Sequence, residues 1–171
     1  MASAFGTATA TAELAAEAED RISLYTGNDD HIFLDLLTPF TVRRDDETVV
    51  VRFRGGLLGH WSVWVKPAVD YLARAHAAVA AGMVDMELLR LDSQITDANG
   101  ALFDVVNDFA GCIAGCHEVL RRQGLLRGTW CLNPEEAMSP GQAEALDRVM
   151  ADYPHLCDDA FVAENLERWL A

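Results

Sequence analysis

The hydrophobic pattern begins with a short β-prone run followed by an amphipathic helix. Residues 22–26 are β-prone and are closed by the polar stretch 27–30, which predicts a strand and a turn. Apolar residues then recur at helical spacing until Thr38 and Pro39, where we expect the helix to end. Asp29 or Asp30 is expected to cap the first turn of this helix, since a carboxylate there accepts free backbone N–H groups.

A hairpin pattern and a second strand–helix unit come next. Two runs rich in β-branched residues flank the polar residues 45–47, which predicts a β-hairpin over 41–53 lying outside the main sheet. Gly55 and Gly56 should end it. The continuous apolar run 57–64 is typical of a buried parallel strand, and Lys66–Pro67 should begin a helix that continues to about Ala81.

The rest of the chain is helical in pattern, with glycine and proline marking the breaks. Its predicted helices cover residues 86–94, 97–107, 110–123, 140–153 and 158–170. We therefore divide the chain into a disordered N-terminus (1–12), a strand–helix segment (13–82) and a C-terminal helical bundle (83–171). Polar residues recur through the first bundle helices, and most of them are expected on a solvated face: Asp92, Asp97, Asn99, Asp104, Asn107 and Asp108. Gln94, Asn99 and Asn107 have apolar neighbours and could instead point back towards the strand–helix segment.

Composition and charge exclude several function classes. The chain has 171 residues, of which 51% are hydrophobic, enough for a substantial core. Its formal net charge of −14 disfavours binding to nucleic acid or to anionic membranes. Neither a membrane-spanning run nor a signal-peptide pattern is visible, so we expect a cytoplasmic protein.

The four cysteines do not form a familiar metal pattern. Cys112 and Cys116 are four residues apart and are followed by His117, whereas zinc sites usually combine closely spaced pairs with a second pair downstream. The segment favours a helix with small residues on one face. We expect buried structural thiols and neither a metal nor a cofactor; a metal site around Cys112, Cys116 and His117 and a redox role are the alternatives.

Several segments together resemble one enzyme family. The strand ending in YTGNDD, the glycine-rich run GGLLGHW, and the segments GCIAGCHEVLRRQGLL, SPGQAEALDRV, YPHL and DDAFVAENLERWL occur in that order. In this order they resemble the back part of the dihydrodipicolinate synthase and N-acetylneuraminate lyase family, in its divergent members. The resemblance covers about residues 13–171.

The resemblance implies a (β/α)8 barrel, of which this chain holds the last two βα units and the appended helices. Such a barrel takes about 250 residues. The family forms a Schiff base between a lysine on the sixth strand and pyruvate or a related 2-oxo acid, and a tyrosine on the fifth strand moves protons. Both positions would lie before residue 1. The resemblance therefore implies a lyase that is either a truncated piece or is completed by a partner, and that is not catalytic alone.

Candidate site residues follow the two predicted strands. Gly27, Asn28, Asp29 and Asp30 follow the first strand and Gly59 and His60 end the second, at the face where barrel enzymes bind substrate. His60 is the best acid/base candidate. Each also has a purely structural interpretation, as a capping residue or as a core histidine beside Trp61 and Trp64. Lys66 is the only lysine, and its place at a helix start indicates a solvated residue.

Two other function classes remain open at this stage. The first is a noncatalytic helical interaction module derived from such a barrel, and the second is the metal site described above. The expected partners are a small 2-oxo acid, if an upstream barrel segment completes the site, and further copies of the chain in a homo-oligomer, because open strand edges invite association.

Overall fold

The computed structural model describes Ala15 and residues 21–44, 46–57 and 59–171. The predicted disorder of residues 1–12 lies outside this part. The fold is mixed α/β and mostly helical, which confirms the predicted mixture of strands and helices. The strands are β1 (Leu24–Thr26), β2 (Phe40–Arg44), β3 (Glu47–Val51) and β4 (Phe53–Gly56). The helices are α1 (Ile32–Leu37), α2 (Val65–Ala81), α3 (Met86–Leu102), α4 (Cys112–Arg122), α5 (Gln142–Asp152) and α6 (Asp159–Leu170).

The chain divides into two compact units. The first comprises Met1–Leu58 and Leu72–Asp92, and the second comprises Gly59–Tyr71 and Ser93–Ala171. Helices α2 and α3 each contribute residues to both units. The boundary predicted between residues 82 and 83 stays a prediction.

In the first unit, two strands that are distant in sequence pair in parallel. β1 pairs with β4, with Thr26 opposite Gly56, and helix α1 lies between them along the chain and packs on both. Ile32, Phe33 and Leu36 are buried on the inner face of α1. The result is a short β–α–β arrangement in which both strands end on the same side.

The predicted hairpin is confirmed as a separate ribbon. β2 and β3 are antiparallel, with Phe40 opposite Val51, and among the described residues they form a sheet of their own. The ring of Phe40 meets Phe53 edge to face at 5.6 Å between centroids. This contact joins the hairpin to the start of β4.

The second strand of the parallel pair lies earlier in the sequence than predicted. The expected strand at 57–64 is wrong: β4 covers Phe53–Gly56, and Gly59–Ser62 form a turn of 3-10 helix. Gly55 and Gly56 lie inside the strand, where they pair with Tyr25 and Thr26 of β1. A Cβ on either glycine would come within 2.7 Å of side-chain atoms of Tyr25 or Ile32. The Gly-Gly pair therefore allows close packing and does not break the strand.

The second unit is helical, and one predicted break in it is wrong. Residues 86–94 and 97–107, expected as two helices, form the single helix α3 to Leu102, followed by a 3-10 turn at Val105–Asn107. The core of this unit consists of fully buried side chains, including Trp64, Ile95, Leu102, Val119, Leu146, Val149 and Leu156. Among the described residues, no helix is both long and apolar enough to cross a bilayer.

Candidate functional site

The loop after β1 is held by its own side chains. Asn28 Oδ1 accepts the backbone N–H of Asp30 at 3.1 Å and of His31 at 3.0 Å, and the backbone N–H of Asn28 donates to Thr26 Oγ1 at 3.1 Å. The Thr26 hydroxyl in turn donates to Asp35 on α1. The turn that follows the strand is therefore fixed to both the strand and the helix.

The expected cap of α1 is wrong. Neither Asp29 nor Asp30 caps the helix; the N-cap position is His31, whose side chain makes no capping hydrogen bond. The backbone N–H of Phe33 donates instead to Oδ1 of Asp92, 59 residues away on α3, at 3.1 Å. A tertiary contact satisfies this N–H, which the first turn of a helix leaves without an intrahelical partner.

The two aspartates of the loop differ in environment. Burial, and then repulsion by Asp30, raise the pKa of Asp29 from 3.8 to about 6. Asp30 is exposed. The Asp29 carboxyl is therefore half-protonated near pH 6, whereas an ordinary aspartate is half-protonated near pH 4.

A histidine that sequence reasoning missed completes this loop. His31 Nδ1 lies 2.8 Å from Asp92 Oδ2. The Asp92 side chain is 9% exposed and that of His31 is 51% exposed. Asp92 was expected on a solvated face, and the structure corrects this: its carboxylate is buried and bonded to α1. The approach of Asp92 depends on folding, so no local spacing pointed to it.

Gly59 and His60 belong to the second unit. Gly59 has φ +68, and a Cβ on it would lie 2.5 Å from Asn99 Nδ2, so this position requires glycine. The backbone N–H of His60 donates to Asn99 Oδ1 at 2.7 Å. Asn99 is buried at this contact, where the sequence left both a solvated and an inward-facing position open.

The ring of His60 is fully buried beside two tryptophans. Its centroid is 6.2 Å from that of Trp61 and 6.5 Å from that of Trp64. Neither ring nitrogen has a hydrogen-bond partner among the described residues. Burial lowers the pKa of His60 to about 3, so the imidazole is neutral at pH 7. The acid/base role of His60 stays a prediction. Solvent does not reach its ring in this structure.

Lys66 lies near the start of α2, as expected. Its ammonium pairs with Asp70 one turn later, and its side chain is 45% exposed. Its backbone N–H donates to Asp158 Oδ2 at 3.2 Å. An amine in this setting is solvated and paired, unlike an activated Schiff-base lysine in an apolar pocket.

The cysteines are free thiols. Burial raises the pKa of Cys116 to about 11 and that of Cys157 to about 12. Both thiols are therefore protonated at neutral pH, and a protonated thiol is a poor nucleophile and metal ligand. In the described ranges, no three His, Cys, Asp or Glu side chains are grouped as a metal site requires.

A second polar network holds the loop between α3 and α4. Asp104 is buried, and its backbone adopts the left-handed conformation (φ 59). Its carboxylate accepts hydrogen bonds from Ser139 Oγ, from Asn107 Nδ2 at 2.6 Å and from Gly111 N at 2.9 Å. Burial raises its pKa, but these hydrogen bonds outweigh that effect and lower it. Asp104 is therefore buried rather than solvated, while Asn107 stays exposed, and the network positions the start of α4.

Comparison with protein-family models, with curated proteins and with solved structures found no match to this chain.

Proposed function

We propose that this chain supplies the last two βα units and the appended helices of a Schiff-base lyase of the dihydrodipicolinate synthase and N-acetylneuraminate lyase type. The observation that supports this is the parallel pairing of β1 with β4 across helix α1. Two consecutive strands of a (β/α)8 barrel pair in this way, with the substrate side at their carboxyl ends.

The candidate substrate loop lies at that end of β1. Asn28 holds the loop to Thr26, and Asp29, with its raised pKa, lies in it. The substrate class is pyruvate or a related 2-oxo acid, and further copies of the chain are the proposed partners. For Gly59 and His60, which belong to the second unit, the role predicted from the sequence stays a prediction.

The proposed chemistry needs an amine that this chain does not offer. A Schiff base forms when an uncharged lysine attacks a carbonyl carbon and water leaves. Lys66, the only lysine, is paired with Asp70. We therefore propose that the lysine comes from a segment that completes the barrel.

Borohydride trapping tests this proposal. Treating the chain with pyruvate and borohydride is expected to give no reduced adduct by mass spectrometry. The same treatment of the chain extended upstream by six barrel strands is expected to give one, on a lysine of the added part. An adduct on Lys66, or none on the extended chain, would contradict the proposal.

A groove in the second unit favours the alternative of a noncatalytic interaction module. A cavity of about 400 Å³ opens between the start of α2, the end of α4 and helix α6. Val65, Val69, Phe161 and Trp169 line it and are each more than a third exposed. Phe161 and Trp169 also contact each other edge to face at 5.7 Å. Exposed apolar surface of this kind is typical of protein interfaces.

A further inference from the structure

The His31–Asp92 pair has the arrangement of an oriented base. Both oxygens of the buried Asp92 carboxylate accept hydrogen bonds, Oδ1 from Phe33 N and Oδ2 from His31 Nδ1. Because an ionised carboxylate only accepts, Nδ1 of His31 is the donor. In the neutral ring the lone pair is then on Nε2, the nitrogen farther from the backbone.

Other exposed histidines of the chain are bonded differently. His76 uses Nε2 to contact the carbonyl oxygen of Arg54 at 2.9 Å, and His155 uses Nε2 to contact Gln94 Oε1 at 2.8 Å. In His31 it is Nδ1 that is bonded, and no described residue contacts Nε2 within hydrogen-bond distance. His31 therefore combines a carboxylate partner with an open Nε2.

We propose that His31 is a general base, positioned by Asp92, that activates water for attack on the carbonyl carbon of a small neutral ester. Nε2 accepts a proton from water as the water oxygen bonds to that carbon. The bond from the carbon to the alcohol oxygen breaks, and the proton passes from Nε2 to the leaving oxygen. A histidine held by a carboxylate is a recurrent form of such a base, since the carboxylate orients the ring and stabilises the imidazolium.

Negative charge near His31 favours an uncharged substrate for this chain by itself. Asp29 and Asp30 precede His31 in the same loop and Asp35 follows it on α1. Without the lysine that the Schiff-base proposal takes from a completing segment, these carboxylates disfavour an anionic substrate, so an uncharged ester is favoured. The reaction needs no lysine amine, and the inference does not rest on the Schiff-base proposal.

Hydrolysis of 4-nitrophenyl acetate by the full chain tests the inference. We expect hydrolysis above the buffer rate, and we expect His31→Gln to lower the catalysed rate at least about tenfold, since positioned bases typically contribute about 100-fold or more. Glutamine retains an amide donor for Asp92. The matched control is His155→Gln, which removes another exposed histidine and should leave the rate unchanged.

A second variant separates positioning from simple folding. Asp92→Asn offers one acceptor oxygen to two donors, so we expect the ¹⁵N NMR signals of His31 to show loss of the Nδ1–H tautomer, together with a lower rate. If Asp92→Asn does not fold, His31→Gln still tests the inference, because the side chain that it replaces is half-exposed. No hydrolysis above buffer, an unchanged rate in His31→Gln, or an equal loss in His155→Gln would overturn the inference, whatever the borohydride result.

Discussion

His60 is a neutral imidazole enclosed by apolar neighbours, with no partner for either ring nitrogen among the described residues. In the unfolded chain its pKa returns to the ordinary 6.5, whereas burial lowers it to about 3 in the folded protein. The unfolded state therefore binds more protons between these values. The contribution of His60 to the free energy of unfolding is therefore fully present above pH 6.5, and it is lost as the pH falls towards 3.

His60→Leu should remove this pH dependence. Between pH 7 and pH 5 the wild type is expected to lose about 2 kcal/mol of unfolding free energy through His60, and the variant should lack that component. At pH 7 the variant should be as stable as the wild type or more so, because a buried unpaired polar group is replaced by an apolar one. Urea unfolding at both pH values measures this. Equal pH dependence in both proteins would contradict it.

Asp29 has the opposite linkage. Its pKa is 3.8 in the unfolded chain and about 6 in the folded one, so the folded state favours the protonated form and stability is lost as the pH rises from 3.8 through 6. Asp29→Asn should raise the unfolding free energy at pH 7.5 by about 1 kcal/mol, a value reduced for solvent screening at this half-exposed site. At pH 3.5 it should have little effect.

The matched control for this charge change is Asp46→Asn, which removes one carboxylate from an exposed turn. Chemical unfolding of the three proteins gives the comparison. A gain at pH 7.5 as large in Asp46→Asn as in Asp29→Asn would show that net charge, rather than the loop, is responsible.

Helix α4 packs through the small face that the sequence predicts. Ala114 and Gly115 are buried, and a Cβ on Gly115 would lie 2.2 Å from the Leu102 carbonyl oxygen and 2.5 Å from Gln142 Nε2. Gln142 Nε2 itself donates to Leu102 O at 3.2 Å and to Gly111 O at 3.0 Å. A backbone atom cannot yield as a flexible side chain does, so this contact requires glycine.

Gly115→Ala is accordingly expected to destabilise the protein by about 3 kcal/mol or more. Gly100→Ala is the matched control: Gly100 lies in helix α3, and a Cβ there meets nothing within 4 Å. It should stabilise the helix by about 0.5 to 1 kcal/mol. Urea denaturation measures the change in the free energy of unfolding for each variant. No change in Gly115→Ala would show that α4 does not pack this closely.

For the whole molecule, assembly is the property with the most direct test. We expect concentration-dependent self-association through the apolar groove of the second unit. Val69→Asp places a charge on a groove side chain that is 57% exposed, and should weaken association at least about tenfold, or about 1.4 kcal/mol. Sedimentation velocity over a range of concentrations measures this.

Val106→Asp adds the same charge at a valine that is 90% exposed and does not line the groove. It should leave the association unchanged. A monomer at all concentrations, or equal effects of the two aspartates, would contradict assembly through the groove.

Much of the secondary structure was predictable because it depends on neighbours in sequence. The strand ending at Thr26, the hairpin and the start of α2 at Val65 followed from alternation, turn residues and Pro67. One error lies where a pair of glycines was interpreted as the end of a strand. Gly55 and Gly56 are strand residues because they pair with Tyr25 and Thr26 of β1, and the local sequence pattern does not show that pairing.

The mixture of strands and helices, the acidic charge and the small-residue face of α4 follow from local sequence. The pairing of β1 with β4, the burial of His60 and the approach of Asp92 to His31 depend on contacts made by folding. These contacts join residues far apart in the chain, since 61 residues separate His31 from Asp92. Whether a polar side chain is solvated or buried against a partner depends on which distant backbone folds beside it.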